Sequence, residues 1–97
     1  MATWIYLVRL TRPAMLTDPT VEETDIMDRH FERLKRLFEE GTVHMAGPAL
    51  DGAFGIVVFE AEDEGTAVST MNDDPAVMAG IMTAELHPFR ISLERQP

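Results

Sequence analysis

The chain has 97 residues, of which 45% are apolar and 26% are charged, so its composition is that of a globular protein rather than a disordered one. Its 17 acidic residues outnumber its 8 basic ones and give a net charge of −9, which argues against nucleic acid as a partner. No apolar run approaches the roughly 18 residues that cross a bilayer, so we expect no binding to a membrane. Cysteine is absent and no secretory signal is evident, so we expect a cytoplasmic protein. We expect one domain over residues 1–97.

The first two predicted elements are a strand and a long amphipathic helix. Residues 3–10 are apolar on both alternating sets, which predicts a central strand covered on both faces, with Tyr6 in the core or at a dimer interface. The helix begins between Pro19 and Asp25, and its apolar side chains recur at spacings of three and four. It ends at Gly41, a residue that suits a left-handed cap.

Two further strands are predicted to form a hairpin. Residues 42–50 predict a strand that Gly47-Pro48 interrupts, and because proline cannot donate to a ladder, this indicates a sheet edge or a bulge. The Asp-Gly sequence at residues 51–52 predicts the turn. Residues 54–61 are again apolar on both alternating sets and predict the second central strand.

The last third of the chain predicts two short helices and a strand. The acidic residues 62–64 favour the N-terminus of the first of these helices. We predict that this helix covers about residues 63–71 and ends before an Asp-Asp-Pro sequence. A further helical turn covers residues 75–79. The final strand is predicted from about residue 84 to residue 93, where apolar and polar residues alternate, and Pro88 indicates an edge.

The order of these elements is β-α-β-β-α-β, which predicts an α+β, ferredoxin-like fold with a four-stranded antiparallel sheet and both helices on one face. The central strands are nevertheless apolar on both faces. An uncovered face of this kind exposes more apolar surface than a monomer normally tolerates. We therefore expect a homodimer that packs the open sheet faces together.

His30 lies inside the apolar arc of the first helix, between Phe31 and Leu37 on a helical wheel. It must therefore point toward the sheet, where a ring nitrogen without a partner costs roughly 1–3 kcal/mol. Position alone leaves two interpretations open. His30 is either a core histidine bonded to a backbone carbonyl, or a general base whose tautomer is fixed by a carboxylate.

Asp74 is the candidate for that carboxylate. It precedes Pro75, whose fixed φ suits the first position of a helical turn, so Asp74 as a plain N-cap is one interpretation. In the other, Asp74 accepts a hydrogen bond from His30 and raises the basicity of the imidazole. The two roles are compatible with each other.

Two stretches of the chain carry a resemblance to a known family. One contains Asp74-Pro75 followed by Gly80, and the other has the pattern His30-Phe31-x-x-Leu34-x-x-Leu37-x-x-x-Gly41-Thr42-Val43-x-x-Ala46-Gly47-Pro48. In order and separation these motifs resemble the YciI-like (YCII-related) family of the ferredoxin-like dimeric α+β barrel superfamily, over nearly the whole chain. The resemblance implies that His30 and Asp74 form an acid/base dyad.

The resemblance also implies a class of function. That class is cofactor-free acid/base catalysis, of lyase or isomerase type, on small cyclic or aromatic compounds, with His30 moving the proton. The alternative stays open at this point: a non-catalytic dimer that binds a small molecule or assists another protein, in which the His30–Asp74 pair only stabilises the fold.

Four further residues are weaker candidates for contacts with a small-molecule ligand. Arg9 and Arg12 have the charge to hold a carboxylate or phenolate, although a surface ion pair is the simpler interpretation. Met45 and Met78 suit an adaptable apolar pocket or fill gaps in the core. The three histidines lack the spacing of a helix-borne metal pair and no glycine-rich phosphate loop is present, so we expect neither a metal nor a nucleotide cofactor.

Overall fold

The computed structural model describes residues 1–96, and their helices and strands follow the predicted order. The elements are β1 (Ala2–Leu10), a 3-10 turn (Pro13–Leu16), α1 (Val21–Glu39), β2 (Val43–Pro48), β3 (Gly55–Ala61), α2 (Glu64–Asn72), α3 (Pro75–Met78) and β4 (Met82–Pro88). The four strands form one antiparallel sheet in the order β2-β3-β1-β4. The predicted α+β, ferredoxin-like fold is thus confirmed.

Local sequence signals set both ends of α1. The Thr20 hydroxyl accepts a hydrogen bond from the Glu23 N–H, and the Glu23 carboxylate accepts one from the Thr20 N–H, which makes a capping box. At the other end Gly41 has a φ of 89°, a left-handed conformation that costs glycine little. Among residues 1–96, no helix is both long and apolar enough to cross a membrane.

The side chains of the central strands divide the sheet into a face covered by helices and an open face. Tyr6 of β1 and Phe59 of β3 are fully buried on the covered face, where they join a core that includes Leu34 of α1. On the other face Leu7 of β1 pairs with Ile56 of β3, and both are partly exposed. The apolar character of both faces, expected from the sequence, is therefore present in the fold.

The β2–β3 hairpin lies beside α1 and is closed at its tip by local contacts. The Ala49 N–H donates to the Phe54 carbonyl at 2.8 Å. Gly52 has a φ of 78°, and a Cβ atom at this position would come within 2.5 Å of the Leu16 Cδ1. The 3-10 turn that precedes α1 therefore packs directly on the tip of the hairpin.

The last strand differs from its prediction, because it covers Met82–Pro88 rather than residues 84–93. The length of β1 explains where it ends. Pro88 pairs with Trp4, and the Phe89 N–H donates to the Thr3 carbonyl at 3.0 Å, close to the first residue of β1. Beyond this point β4 has no neighbouring strand within the described chain, so the alternating pattern of residues 89–93 does not become part of the sheet.

Candidate functional site

Asp74 is a fully buried carboxylate at the N-terminus of α3. Its Oδ1 accepts a hydrogen bond from the Ala76 N–H at 2.9 Å, which is the N-cap expected of an aspartate before Pro75. The same oxygen lies 2.7 Å from Nδ1 of His30, and Oδ2 accepts a hydrogen bond from the Tyr6 hydroxyl at 2.7 Å. Capping and contact with His30 thus coexist in one side chain.

The donors around Asp74 keep it ionised. Burial alone would raise the pKa of this carboxyl, but the hydrogen bond and charge of His30, with further hydrogen bonds from Tyr6 and the Ala76 N–H, lower the pKa below its ordinary value. An ionised carboxylate only accepts hydrogen bonds, so the proton in the His30–Asp74 bond is assigned to Nδ1 of His30. In the neutral imidazole Nε2 is then the basic nitrogen.

Tyr6 is a third member of this buried cluster, and the sequence does not predict its role. The residue does lie in the core, but its hydroxyl is directed to Asp74. Burial first, and then the charge and hydrogen bond of Asp74, raise the pKa of Tyr6 above its ordinary value, so the hydroxyl keeps its proton. The signal in the sequence is weak: a buried tyrosine hydroxyl needs a partner, but no spacing rule identifies which one.

His30 connects the buried cluster to a cavity. It lies on α1 with its imidazole turned inward, and only 8% of the residue is exposed. A cavity of about 1110 Å³ is lined by residues of β1, α1 and the β2–β3 hairpin, and His30 is in its wall, whereas Asp74 and Tyr6 are not. Because Nδ1 is engaged by Asp74, Nε2 is the nitrogen left for a ligand.

The cavity wall is largely apolar. Aromatic rings come from α1 and the hairpin, at Phe31, Phe38 and Phe54. Within residues 1–96, the titratable side chains in the wall are those of His30, Lys35, His44 and Asp51. No group of three or more His, Cys, Asp or Glu side chains in that part of the chain is arranged to hold a metal ion. The wall therefore favours a largely apolar ligand with few polar groups.

The structure brings one of the four predicted ligand contacts, Met45, to this cavity. Met78 ends α3 and is 72% exposed, outside the cavity wall. Arg9 alternates with Val8 along β1 and so lies on the open face, where it forms an ion pair with Glu85 of β4 at 2.6 Å. The alternation of a strand thus directs Arg9 away from His30.

Arg12 is also outside the cavity, because it fastens the 3-10 turn to the start of α1. Its guanidinium donates to both carboxylate oxygens of Glu23 and to the carbonyl of Asp18. The carboxylate that it holds is therefore an internal one. This bidentate pair supports the ion-pair interpretation of Arg12 that the sequence left open.

The Arg12–Glu23 pair predicts a loss of stability in acid. The hydrogen bond from Arg12, followed by that from the Thr20 N–H, lowers the pKa of Glu23 to about 2. A carboxyl with a depressed pKa stabilises the folded state above its unfolded pKa, about 4.3, and this contribution is lost as the pH falls toward the folded value. We expect Glu23→Gln to flatten the pH dependence of the unfolding free energy between about pH 4 and pH 2.

Urea unfolding at a series of pH values measures this dependence. Glu22→Gln is the matched control, because Glu22 is the exposed neighbour in the same helical turn and forms no ion pair with Arg12. Equal slopes in the wild type and in Glu23→Gln would contradict the expectation.

Comparisons with known proteins agree with the fold. A family model described as the YCII-related domain matches residues 4–90. A search of curated proteins finds no significant match. Among solved structures, the 5-chloro-2-hydroxyhydroquinone dehydrochlorinase of Burkholderia phenoliruptrix AC1100, in complex with 2,5-dihydroxybenzoquinone, is 21% identical with a TM-score of 0.67, over 90% of this chain and 93% of that one. A muconolactone isomerase is 16% identical with a TM-score of 0.72, over 98% and 96%.

Proposed function

This chain belongs to the YCII-related domain family, and from that membership and its buried His30–Asp74 pair we propose that it is a cofactor-free enzyme that moves a proton on a small cyclic or aromatic compound. The reaction is of lyase or isomerase type. One observation carries the proposal: the imidazole that lines the cavity has its Nδ1 2.7 Å from a buried, ionised carboxylate, which leaves Nε2 as a base for a ligand.

In the proposed reaction Nε2 of His30 removes a proton from the substrate. Nδ1 keeps its hydrogen bond to Asp74, whose negative charge stabilises the imidazolium that forms. In an isomerase the imidazolium returns the proton to a different atom of the substrate. In a lyase, the electron pair released by proton removal expels a leaving group, and the imidazolium later gives its proton to solvent.

The cavity wall supports the proposed class of substrate. The rings of Phe31, Phe38 and Phe54 offer the apolar surface that a planar or cyclic ligand needs, and the flexible Met45 side chain lies in the same wall. Two structural neighbours, named as a dehydrochlorinase and as an isomerase, have the same fold at low sequence identity, and their names agree with this reaction type.

The experiment is a turnover screen with the purified protein. Cyclic lactones and chlorinated phenols are incubated in deuterated water, and NMR detects deuterium incorporation at carbon and double-bond migration, while an electrode detects released chloride. We expect at least one compound to be converted by the wild type and far more slowly by His30→Gln. His44→Gln should remain active, because His44 lines the same cavity but bonds Glu60 instead of Asp74.

The screen also separates the enzyme from its rival. Compounds that bind to the cavity in saturation-transfer NMR without any conversion would contradict the enzyme proposal. They would support the alternative function, a non-catalytic small-molecule-binding dimer in which the pair is structural.

We also propose that two copies of the chain pack their open sheet faces together. Ile5 and Leu7 of β1 and Ile56 of β3 are partly exposed on the open face, where they form an apolar centre that the helices do not cover. A monomer rarely leaves such a patch in water. Isologous packing of this patch would bury it in both copies at once.

Leu7→Lys should dissociate this dimer. The substitution places charges of like sign in the centre of a two-fold interface, where they repel and lose hydration. We expect the wild type to have twice the mass of one chain in light scattering after size exclusion, and Leu7→Lys to have the mass of one. Val68→Lys, on the exposed side of α2, should leave the mass unchanged. A wild type with the mass of one chain at micromolar concentration would refute the proposal.

A further inference from the structure

We propose that Tyr6 is a positioning residue that sets the basicity of His30 through Asp74. The Tyr6 hydroxyl donates to Oδ2 of Asp74 at 2.7 Å, while His30 contacts Oδ1 of the same carboxylate at 2.7 Å. The two side chains thus compete for the charge of one buried anion. This inference rests on the proposed function, because it describes how the proposed base is held ready.

The physical effect of the tyrosine follows from the way a carboxylate shares its charge. A donor on Oδ2 draws negative charge away from Oδ1, which weakens the attraction between Asp74 and a protonated His30. Without that donor, the buried carboxylate would favour the imidazolium more strongly. A base that is already protonated cannot accept a proton from a substrate, so the Tyr6 donor favours the form of His30 that can act as a base.

The structure holds Tyr6 firmly in the donor role. β1 is a central strand, and Tyr6 is paired on one side with Val57 of β3 and on the other with Leu86 of β4. Its ring packs edge to face on Phe59, with centroids 5.6 Å apart, and the residue is fully buried. A hydroxyl that is fixed in this way donates to Asp74 without the loss of side-chain freedom that a surface residue would suffer.

The other charged groups around the pair do not replace this bond. On α1, Arg33 acts on the Tyr6 hydroxyl. Lys35 of α1 and His44 of β2 line the cavity with His30, and the exposed Asp73 precedes Asp74 in the chain. Burial and Asp74 raise the pKa of Tyr6 and outweigh Arg33, which favours the ionised phenol. Replacing Tyr6 by phenylalanine removes one hydrogen bond and leaves the remaining charges in place.

The experiment follows the titration of the His30 imidazole by heteronuclear NMR in Tyr6→Phe. Phenylalanine keeps the ring and its packing but removes the donor to Asp74. We expect the midpoint of the His30 titration to move to higher pH than in the wild type, by about 0.5 to 1 pH unit, which is a three- to ten-fold gain in proton affinity. Asp74→Asn should move it in the opposite direction.

Two further proteins make the result specific. Trp4→Phe is the matched control, because Trp4 precedes Tyr6 on the same face of β1 and its buried indole N–H has no partner within the described chain. It should leave the midpoint unchanged. The chain contains one tyrosine, so biosynthetic fluorotyrosine replaces Tyr6 alone and retains its shape. Its more acidic hydroxyl is a stronger donor, and the midpoint should move to lower pH.

Shifts in opposite directions for Tyr6→Phe and for fluorotyrosine establish the proposal. A midpoint that is unmoved by both, or that moves the same way in both, overturns it, and the fluorinated protein decides the matter if Tyr6→Phe does not fold. No substrate is needed for this titration. Turnover without these shifts overturns the role of Tyr6 alone, whereas the shifts without turnover support that role and contradict the proposed catalysis.

Discussion

His30→Gln should lower kcat by about 10²–10⁴-fold on any compound that the wild type converts, because general acid–base catalysis typically contributes this much. Glutamine has an amide N–H that can still donate to Asp74, so the buried carboxylate keeps a partner near Oδ1. What the variant lacks is a nitrogen at the cavity wall that can take and return a proton. The measurement is steady-state kinetics on the compound found in the screen, together with circular dichroism to verify folding.

The outcome distinguishes a base from a residue that only shapes the cavity. His44→Gln changes a second imidazole in the same wall, and it should alter KM rather than kcat, since His44 bonds Glu60 and not Asp74. If His30→Gln turned over the substrate at the wild-type rate, the catalytic role of His30 would be excluded. A kcat that falls equally in both variants would indicate a general disturbance of the cavity instead of the loss of one base.

Asp74→Ala should destabilise the folded protein by about 3 kcal/mol or more. The substitution leaves three donors without their acceptor: the Tyr6 hydroxyl, Nδ1 of His30 and the N–H of Ala76. Each unsatisfied buried group costs roughly 1–3 kcal/mol. His30 can turn toward the cavity and find another partner there, so the total loss of stability is smaller than three full penalties added together. Urea unfolding should show a lower midpoint with an unchanged m-value.

Two control variants identify the source of that loss. Asp74→Asn keeps an oxygen that can still accept from the Ala76 N–H, and we expect a smaller loss than with alanine. Asp73→Ala alters the exposed neighbour and should change stability by no more than about 0.5 kcal/mol. A loss below about 1 kcal/mol for Asp74→Ala would show that the cluster contributes little to the fold.

The double role of Asp74 decides which residue can test catalysis. Because Asp74 caps α3 as well as holding His30, its removal should harm the fold whether or not the protein is an enzyme. The stability of Asp74 variants therefore does not distinguish an enzyme from a binding module. His30 makes one hydrogen bond to Asp74 and lines the cavity, so its substitution separates the catalytic interpretation from the structural one more cleanly.

Local interactions account for the parts of the fold that are predictable from the sequence. The capping box at Thr20 and Glu23 and the glycine at residue 41 involve groups a few residues apart, so the ends of α1 are encoded where they occur. Strand alternation likewise shows that β1 and β3 are apolar on both faces. The end of β4 is different, because it depends on where β1 begins, a property of a distant segment.

The candidate site also combines features that local sequence determines with features that depend on long-range packing. The inward direction of His30 follows from helical periodicity, and the capping role of Asp74 follows from the proline beside it, so the sequence by itself determined these two. The contact between them joins residues 44 positions apart, and the Tyr6–Asp74 bond joins residues 68 apart. Only the tertiary structure decided those contacts, because they depend on the packing of α1 and α3 against the sheet, which no pattern of neighbouring residues records.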